Sequence, residues 1–398
     1  MRNRQVHRDG PLAAYLASEV DDTAYLTVSV GTGYASVASA ARAAYGWLGK
    51  VLAARKMQIV HERIFGSLAC ADAILGARTH ALSGLAVAAD GPFTYVQGQP
   101  VWGDGLAGVQ LQAVRPRREE GGGVALVGAG GAPCGRAWER SGARFLILQD
   151  VHGMDECPRR PADRRTQAER MFERAAAMLQ AEAASYADVV RTWIYLSDIL
   201  AWYDDFNKAR NAKYDAFGLM SSLSAEQLQG PLSLPASTGI QGENRLSAAS
   251  VMDVLAVMRT PASQVDVVQM GNVRQADAFE YGSAFSRGAC IREPDMTQIQ
   301  ISGTAAIDEQ GCSVCSGDAR AQALWTLDTV EALIEQQGAA LTDICQATVF
   351  LKRAQDYTAY RQALAERGLN EMPAVCVLAD VCRDELLFEI DGIAAFAR

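Results

Sequence analysis

One succession of helix, strand and helix occurs three times in this chain, and that repetition constrains the fold more than any other feature. The clearest copies begin at Ala175 (AAAMLQAEAASYADVVRTWIYL) and at Val330 (VEALIEQQGAALTDICQATVFL), about 155 residues apart. In each, apolar residues at helical spacing (Met178 and Leu179; Leu333 and Ile334) give way to a small-residue turn. An Asp follows (Asp188; Asp343), then an apolar strand ending at Leu196 or Leu351. A second helix comes next, WYDDFNKARNAKYDAFG in one copy and YTAYRQALAERG in the other. The flanks repeat as well. A shared Gly-x-Ala-aromatic-x-Arg aligns Gly135–Arg140 with Gly282–Arg287. Downstream, LPASTGIQG and MPAVCVLAD each lead to a closing strand, Ser250–Val257 or Leu386–Ala394.

A fainter third copy lies upstream, the alternative being two units behind a divergent N-terminal extension. AAYGWLGKVLAARKMQIVHERIFGS supplies its helix and strand, ACADAILGARTHAL its second helix, and GPFTYVQGQP and LAGVQLQAVRP its last strands. The expected units are therefore residues 1–118, 119–262 and 263–398. Glu119–Gly135 reads as a Gly-rich linker and Leu219–Ser233 as an inserted flap. GAGGAPCG is no dinucleotide fingerprint, because no strand leads there directly into a helix.

Strands combined with two helices per unit imply an α+β fold, with helices packed on one face of each β-sheet. The other face needs cover. Three units in one chain can supply it mutually, by the logic that closes identical subunits into a ring, so the expected arrangement is a pseudo-trimer. Whether such a chain stays a monomer or forms a homo-oligomer is left open.

Composition serves here mainly to exclude. A net charge of −9 and no dense basic run beyond Arg115–Arg118 argue against a nucleic-acid partner. No run of 18 apolar residues suggests a membrane span, and MRNRQVHRDG does not read as a secretory signal. Nine scattered cysteines fit a reducing cytoplasm, the expected location. Four histidines without ligand spacing speak against a zinc site or a His-based triad, and Cys312-x-x-Cys315 has no second pair.

ISGTAAID, DICQATVFLK, MPAVCV and LLFEIDGIA in the last unit resemble the Rid (reactive-intermediate deaminase) family, whose chorismate-mutase-like subunits form trimers with sites between them. Rid deaminases hold a substrate carboxylate with an Arg after Pro-Ala; here the place is Val375, which argues against imine deamination. YGSAFSRG, VVRTWIYLSDI, LPASTGI and CRDELLFEID together resemble the chorismatases, which fuse Rid-like domains in one chain. The resemblance implies cleavage of chorismate with release of pyruvate, no metal or organic cofactor, and a catalytic acid at Glu389. Gly288 after FSR and Cys382 before RD resemble the branch that forms 3-hydroxybenzoate. Open alternatives are the 4-hydroxy isomer, a hydrolytic route to a dihydroxycyclohexadiene carboxylate, and a Rid-like binder of small carboxylates without chemistry.

The residues carry a reading of their own. Aligned closing strands put Glu389 opposite Val251 and Gly108, and Asp391 opposite Asp253 and Gln110, so one acid site per chain is expected. Alternation places Leu387, Glu389 and Asp391 on one face and Phe388 and Ile390 beneath the helices. Apolar surroundings would raise the pKa of Glu389 and keep a proton available for an enol-ether methylene; the alternative is a hydrogen bond to a neighbouring strand. Arg383 is expected to favour the Cys382 thiolate, which would shape the pocket and move a proton at the ring, unless Cys382 is simply a small buried hydrophobe. Chorismate bears two carboxylates, which call for cationic anchors. Arg191 is the first candidate, standing mid-strand where the other copies have His61 and Gln346; its alternative is an ion pair across a unit boundary. Arg361 and Arg287 follow, the latter aligned with Arg140. Thr238, beside Ser237, together with Tyr195, Tyr214, Tyr281 and Ser283, completes the polar candidates, each with a core or turn role as its alternative.

Overall fold

The computed structural model describes residues 3–20, 22–85, 90–116, 123–129, 132–155, 162–220, 229–231, 234–275, 278 and 282–397. The first unit runs β1 (Asn3–Asp9), β2 (Leu12–Val20), β3 (Thr23–Val30), α1 (Val37–Arg55), β4 (Gln58–Gly66), α2 (Ala71–Leu82), β5 (Thr94–Gln97) and β6 (Leu106–Val114). The middle unit repeats this order as β7 (Ala125–Ala129), β8 (Ala132–Arg140), β9 (Ala143–His152), α3 (Arg164–Ala181), β10 (Val189–Leu196) and α4 (Tyr203–Ala216). Past the inserted β11 (Gln229–Pro231), it ends with β12 (Ala236–Gln241) and β13 (Ser250–Met258). The last unit comprises β14 (Asp266–Met270), β15 (Gly288–Arg292), β16 (Met296–Ala305), α5 (Ala319–Glu335), β17 (Ile344–Leu351), α6 (Asp356–Glu366), β18 (Ala374–Leu378) and β19 (Phe388–Ala397).

Each unit forms one sheet, in the orders β1-β2-β3-β6-β4-β5, β7-β8-β9-β13-β10-β12 and β11-β14-β15-β16-β19-β17-β18. The closing strand (β6, β13 or β19) slots between the hairpin and the strand after the first helix, and the parallel edge pairs are β4–β5, β10–β12 and β17–β18. Local chemistry fixes the helices. In α1, Ser36 and Ser39 form a reciprocal capping box, and the stripe Ala40, Ala44, Leu48 and Leu52 buries one face. Asp163 and Asp318 cap α3 and α5 by accepting from backbone N–H groups.

Helices cover one face of each sheet with a core of its own. The opposite faces meet in a shared core that draws Phe65 and Val96 from the first unit, Trp193 and Ile240 from the middle one, and Ile291 and Phe350 from the last. The fold is thus the expected α+β pseudo-trimer of Rid-like units in a single chain. Its symmetry extends to irregularities: β4, β10 and β17 carry a bulge at the same place, between Ile59 and His61, Val189 and Arg191, and Ile344 and Gln346. No helix among the described residues is long and apolar enough to cross a membrane.

Three expectations change. The supposed linker contains β7, paired with β8, and its glycine is structural: a Cβ on Gly135 would stand 2.2 Å from Ile147 O. The insertion contributes β11 to the last unit's sheet rather than forming only a flap, while residues 221–228 and 232–233 lie outside the described set. Finally, Gly135 lies opposite Leu148 as Gly288 lies opposite Ile301, so Gly135 corresponds to Gly288 and not to Gly282. Arg140 is consequently no counterpart of Arg287; it pairs with Glu293 at 2.6 Å and Asp22 at 3.5 Å.

Candidate functional site at the boundary of the middle and last units

The residue that focuses this boundary is Glu389, paired with Ala305 on β16 and Phe350 on β17. Phe388 and Ile390, its strand neighbours, pack under the helices, which turns Glu389 and Asp391 toward the middle unit as alternation requires. Beneath Glu389, the Asp391 carboxylate accepts from Thr238 Oγ1 at 2.8 Å and from Arg191 Nη2 at 3.3 Å, two residues of the neighbouring unit. Arg63 of the first unit approaches the same carboxylate to 3.8 Å. Asp391 is therefore held by three side chains, whereas the Glu389 carboxyl has no hydrogen-bond partner among the described residues.

Burial is the main reason the Glu389 pKa is pushed up to about 8, with the Asp391 charge adding to it; Arg191 and Arg287 oppose the shift. Near neutral pH this side chain holds a proton. It opens onto a cleft of about 140 Å³ lined by Ser237 and Gly239 of β12, Tyr203, Asp204 and Asn207 of α4, Ser283, Phe285, Arg287, Gly303, Cys382 and Arg383. Room for the acid comes from Gly303, where a Cβ would stand 2.2 Å from Glu389 Oε1. The Arg287 guanidinium lies over the Phe285 ring, and Arg383 is steadied by Gly311 O at 2.8 Å and Ser313 Oγ at 3.2 Å.

Of the residues singled out in the sequence, Glu389, Cys382, Ser283, Ser237, Arg287 and Arg383 meet in this cleft. Cys382 is a thiol there, not the expected thiolate: desolvation, then the neighbouring Glu389 carboxyl, push it up to about 12, and Arg383 offsets this only in part. Arg191 and Thr238 lie behind the acid. Arg191 is fully buried, with its guanidinium 5.0 Å from the Trp193 ring centroid and Nη2 2.5 Å from Thr238 Oγ1. The cross-boundary ion pair thus describes its surroundings better than a lining role.

Other candidates stand apart from the cleft. Tyr195 sits in the shared core and accepts from Arg63 at 3.3 Å. Tyr214 is buried in the middle unit's helix-side core against Phe172 and Tyr186. Gly288 serves packing, since a Cβ there would come within 3.2 Å of Leu333. Arg361 is exposed on α6, and Tyr281 lies outside the described residues. Cleft residues that sequence reasoning passed over include Asn207 and Gly303. Gly303 had a signal, because Asp150 occupies its place in the middle unit.

The pseudo-symmetry makes the other two boundaries informative. Between the first and middle units, His61 and Thr94 hold Asp253 as Arg191 and Thr238 hold Asp391, with His61 Nε2 2.7 Å from Asp253 Oδ2. Between the last and first units, Gln110 Nε2 donates to Ala347 O at 2.6 Å, and Val375 fills the space in front of Gly108, whose Cβ would stand 2.6 Å from it. Val375 therefore packs this boundary.

Comparison with known proteins agrees with this architecture. The family model described as Endoribonuclease L-PSP matches residues 278–396. A 3-aminoacrylate deaminase RutC from Acinetobacter baylyi is 33% identical over 97 residues, covering 24% of this chain and 77% of that protein. A chorismatase from Streptomyces rapamycinicus is 27% identical over 235 residues, 53% of this chain and 65% of that one. A chorismatase crystal structure superposes with a TM-score of 0.60 at 18% identity, covering 84% of this chain and 92% of its own. The chain belongs to the Rid-like L-PSP family, and its fused architecture is similar to that of the chorismatases. The match spans less than two thirds of the length of the curated chorismatases. In this Rid-like chain, the L-PSP match takes in both Glu389 and Cys382, whereas Arg191 and Thr238, behind the acid, come from the unit before it.

Proposed function

We propose that the chain cleaves chorismate at its enolpyruvyl ether, releasing pyruvate, with Glu389 as the catalytic acid. The observation that carries this reading is a buried, protonated carboxyl, without a hydrogen-bond partner among the described residues, facing a cleft that also holds two guanidinium groups. Glu389 donates its proton to the terminal methylene, converting the enol ether into a methyl-bearing oxocarbenium ion. Arg287 and Arg383 are the cleft cations that answer the two carboxylates of the substrate. Arg191 acts as a positioning residue: with Thr238 it holds Asp391, and its charge keeps the Glu389 pKa from rising further.

For the product we propose 3-hydroxybenzoate. The ring C4 hydroxyl captures the cation and gives up its proton, forming a cyclic ketal. The C4–O bond then breaks, and pyruvate departs with that oxygen. The C3 hydrogen leaves as a proton to restore aromaticity, while the C3 oxygen stays on the ring and is protonated. Chorismate thus divides into 3-hydroxybenzoate and pyruvate with no net water. Cys382 supports this branch as a neutral thiol that shapes the wall beside the acid and offers water no strong hydrogen-bonding site. Capture by water would instead give pyruvate and the dihydroxycyclohexadiene carboxylate. The test is incubation of purified protein with chorismate and separation of the products. 3-Hydroxybenzoate and pyruvate in equal amounts support the proposal; the diene diol redirects it to hydrolysis; no turnover between pH 5 and 9 removes the enzymatic reading.

A further inference from the structure

The boundary between the first and middle units holds a larger cleft, of about 780 Å³, within the range of small-molecule sites. Phe93 and Tyr95 of the first unit face Val151 and Met178 of the middle unit there, with Leu246 at the rim. The Tyr95 ring is fixed by its hydroxyl, which donates to Ser67 O at 2.9 Å.

Four polar side chains converge on this apolar frame. Asp150 occupies the position of Gly303, so the cleft keeps a carboxyl although Val251 replaces Glu389; the acid has moved to the adjoining strand. Asp150 takes a left-handed backbone conformation (φ 54°), and its N–H donates to Asp253 Oδ1 at 3.0 Å. Its carboxyl has no hydrogen-bond partner among the described residues. Burial, with the Asp253 charge adding to it, pushes its pKa up to about 7. His152 Nδ1 accepts from Met154 N at 3.3 Å, which leaves Nε2 as a donor. Arg174 donates to His152 O at 2.9 Å. Arg245 is exposed on a loop tied down by Asn244, which bonds the backbone of Leu246 and Ala248, and it forms no ion pair among the described residues.

We propose that this cleft is a second ligand site, for a small cyclic hydroxycarboxylate held by Arg245 and Arg174 at its carboxylate and by Asp150 and His152 at its hydroxyl. The ring of such a ligand lies between Phe93, Tyr95 and Met178. This second site does not depend on the chemistry proposed for Glu389, because it shares no lining residue with the first cleft.

Calorimetric titration of the full chain with 3-hydroxybenzoate, and with 3-hydroxybenzamide as its neutral counterpart, tests the site. Arg245→Ala should weaken 3-hydroxybenzoate binding at least tenfold, Arg287→Ala should leave a binding event in place, and the amide should bind at least tenfold more weakly than the acid. Arg245 is exposed, so a melting temperature within a few degrees of the parent is expected and separates lost binding from lost folding. Binding in Arg245→Ala within twofold of the parent, equal binding of the amide, loss of all binding in Arg287→Ala, or no binding to the parent would each overturn the second site. Loss confined to Arg287→Ala would do so while leaving the proposed activity standing.

Discussion

Gly303 and Glu389 fit each other across adjacent strands: the glycine has no side chain where the acid's Oε1 lies, and a Cβ there would be only 2.2 Å away. The obstructed atom is the tip of a flexible side chain, so a methyl group at Gly303 should displace the acid rather than unfold the sheet. Gly303→Ala is expected to lower kcat on chorismate by roughly 10- to 100-fold, since a misplacement near 1 Å costs about that much. Pyruvate release measured with a coupled assay checks this; an unchanged kcat would mean the acid needs no such placement.

Glu389→Gln removes the proton donor while keeping the shape. Turnover should fall by about 10² to 10⁴, the usual contribution of general acid catalysis, with the circular dichroism spectrum preserved. In the parent, activity should decline as pH rises through about 8, where the acid loses its proton. Retention of substantial turnover by the variant would assign the proton to another group.

The same substitution has a signature in stability. The Glu389 pKa is raised from 4.5 to about 8 on folding, so between those values the native state holds a proton that the unfolded chain has released. Its contribution to stability is fully present below pH 4.5 and is lost as pH rises through 8, by about 1.4 kcal/mol per pH unit within the window. Urea unfolding of parent and Glu389→Gln at pH 5, 7 and 9 should show the variant gaining on the parent by a few kcal/mol toward alkaline pH. A pH-independent difference would place the carboxyl in water.

Asp391→Ala leaves Arg191 as an uncompensated buried charge. Loss of about 3–5 kcal/mol is expected in chemical denaturation. The double variant Arg191→Met with Asp391→Leu should recover part of that loss, because it removes the Arg191–Asp391 pair together while Arg63 keeps its bond to Tyr195. Loss below about 1 kcal/mol would show that the pair is hydrated.

Cys382 and the exposed pair Cys312 and Cys315 should separate in reactivity. A thiol near pKa 12 in a cleft is almost wholly protonated at pH 7, so iodoacetamide should modify Cys312 and Cys315 well before Cys382, as peptide mass mapping would show. Cys382→Ala should shift the products toward the diene diol; an unchanged ratio would remove this residue from product control.

Much of this was legible in the chain. Repetition disclosed the three units, and aligning their closing strands identified Glu389 as an acid with Val251 and Gly108 in the equivalent places. Those alignments rest on long alternating runs, which tolerate no slip without moving every apolar residue to the wrong face. Gly-x-Ala-aromatic-x-Arg misled by comparison, because six residues of resemblance do not specify register, and the observed pairing joins Gly135 to Gly288. Arg191 looked like an anion anchor because its partner, Asp391, lies 200 residues away in sequence. Asp150 drew no notice for a similar reason: only the neighbouring strand shows that it faces the cleft vacated by the Val251 position.

Fusion of the three units has a consequence for how such a molecule varies. Where identical subunits form a ring, every substitution is made three times, and a change that improves one boundary is imposed on the others. Here Glu389, Val251 and Gly108 sit at one shared address yet mutate independently, as do Val375, Thr238 and Thr94. A single polypeptide can therefore keep one junction for chemistry, leave another roomy and seal the last, a division of labour closed to any assembly of identical copies.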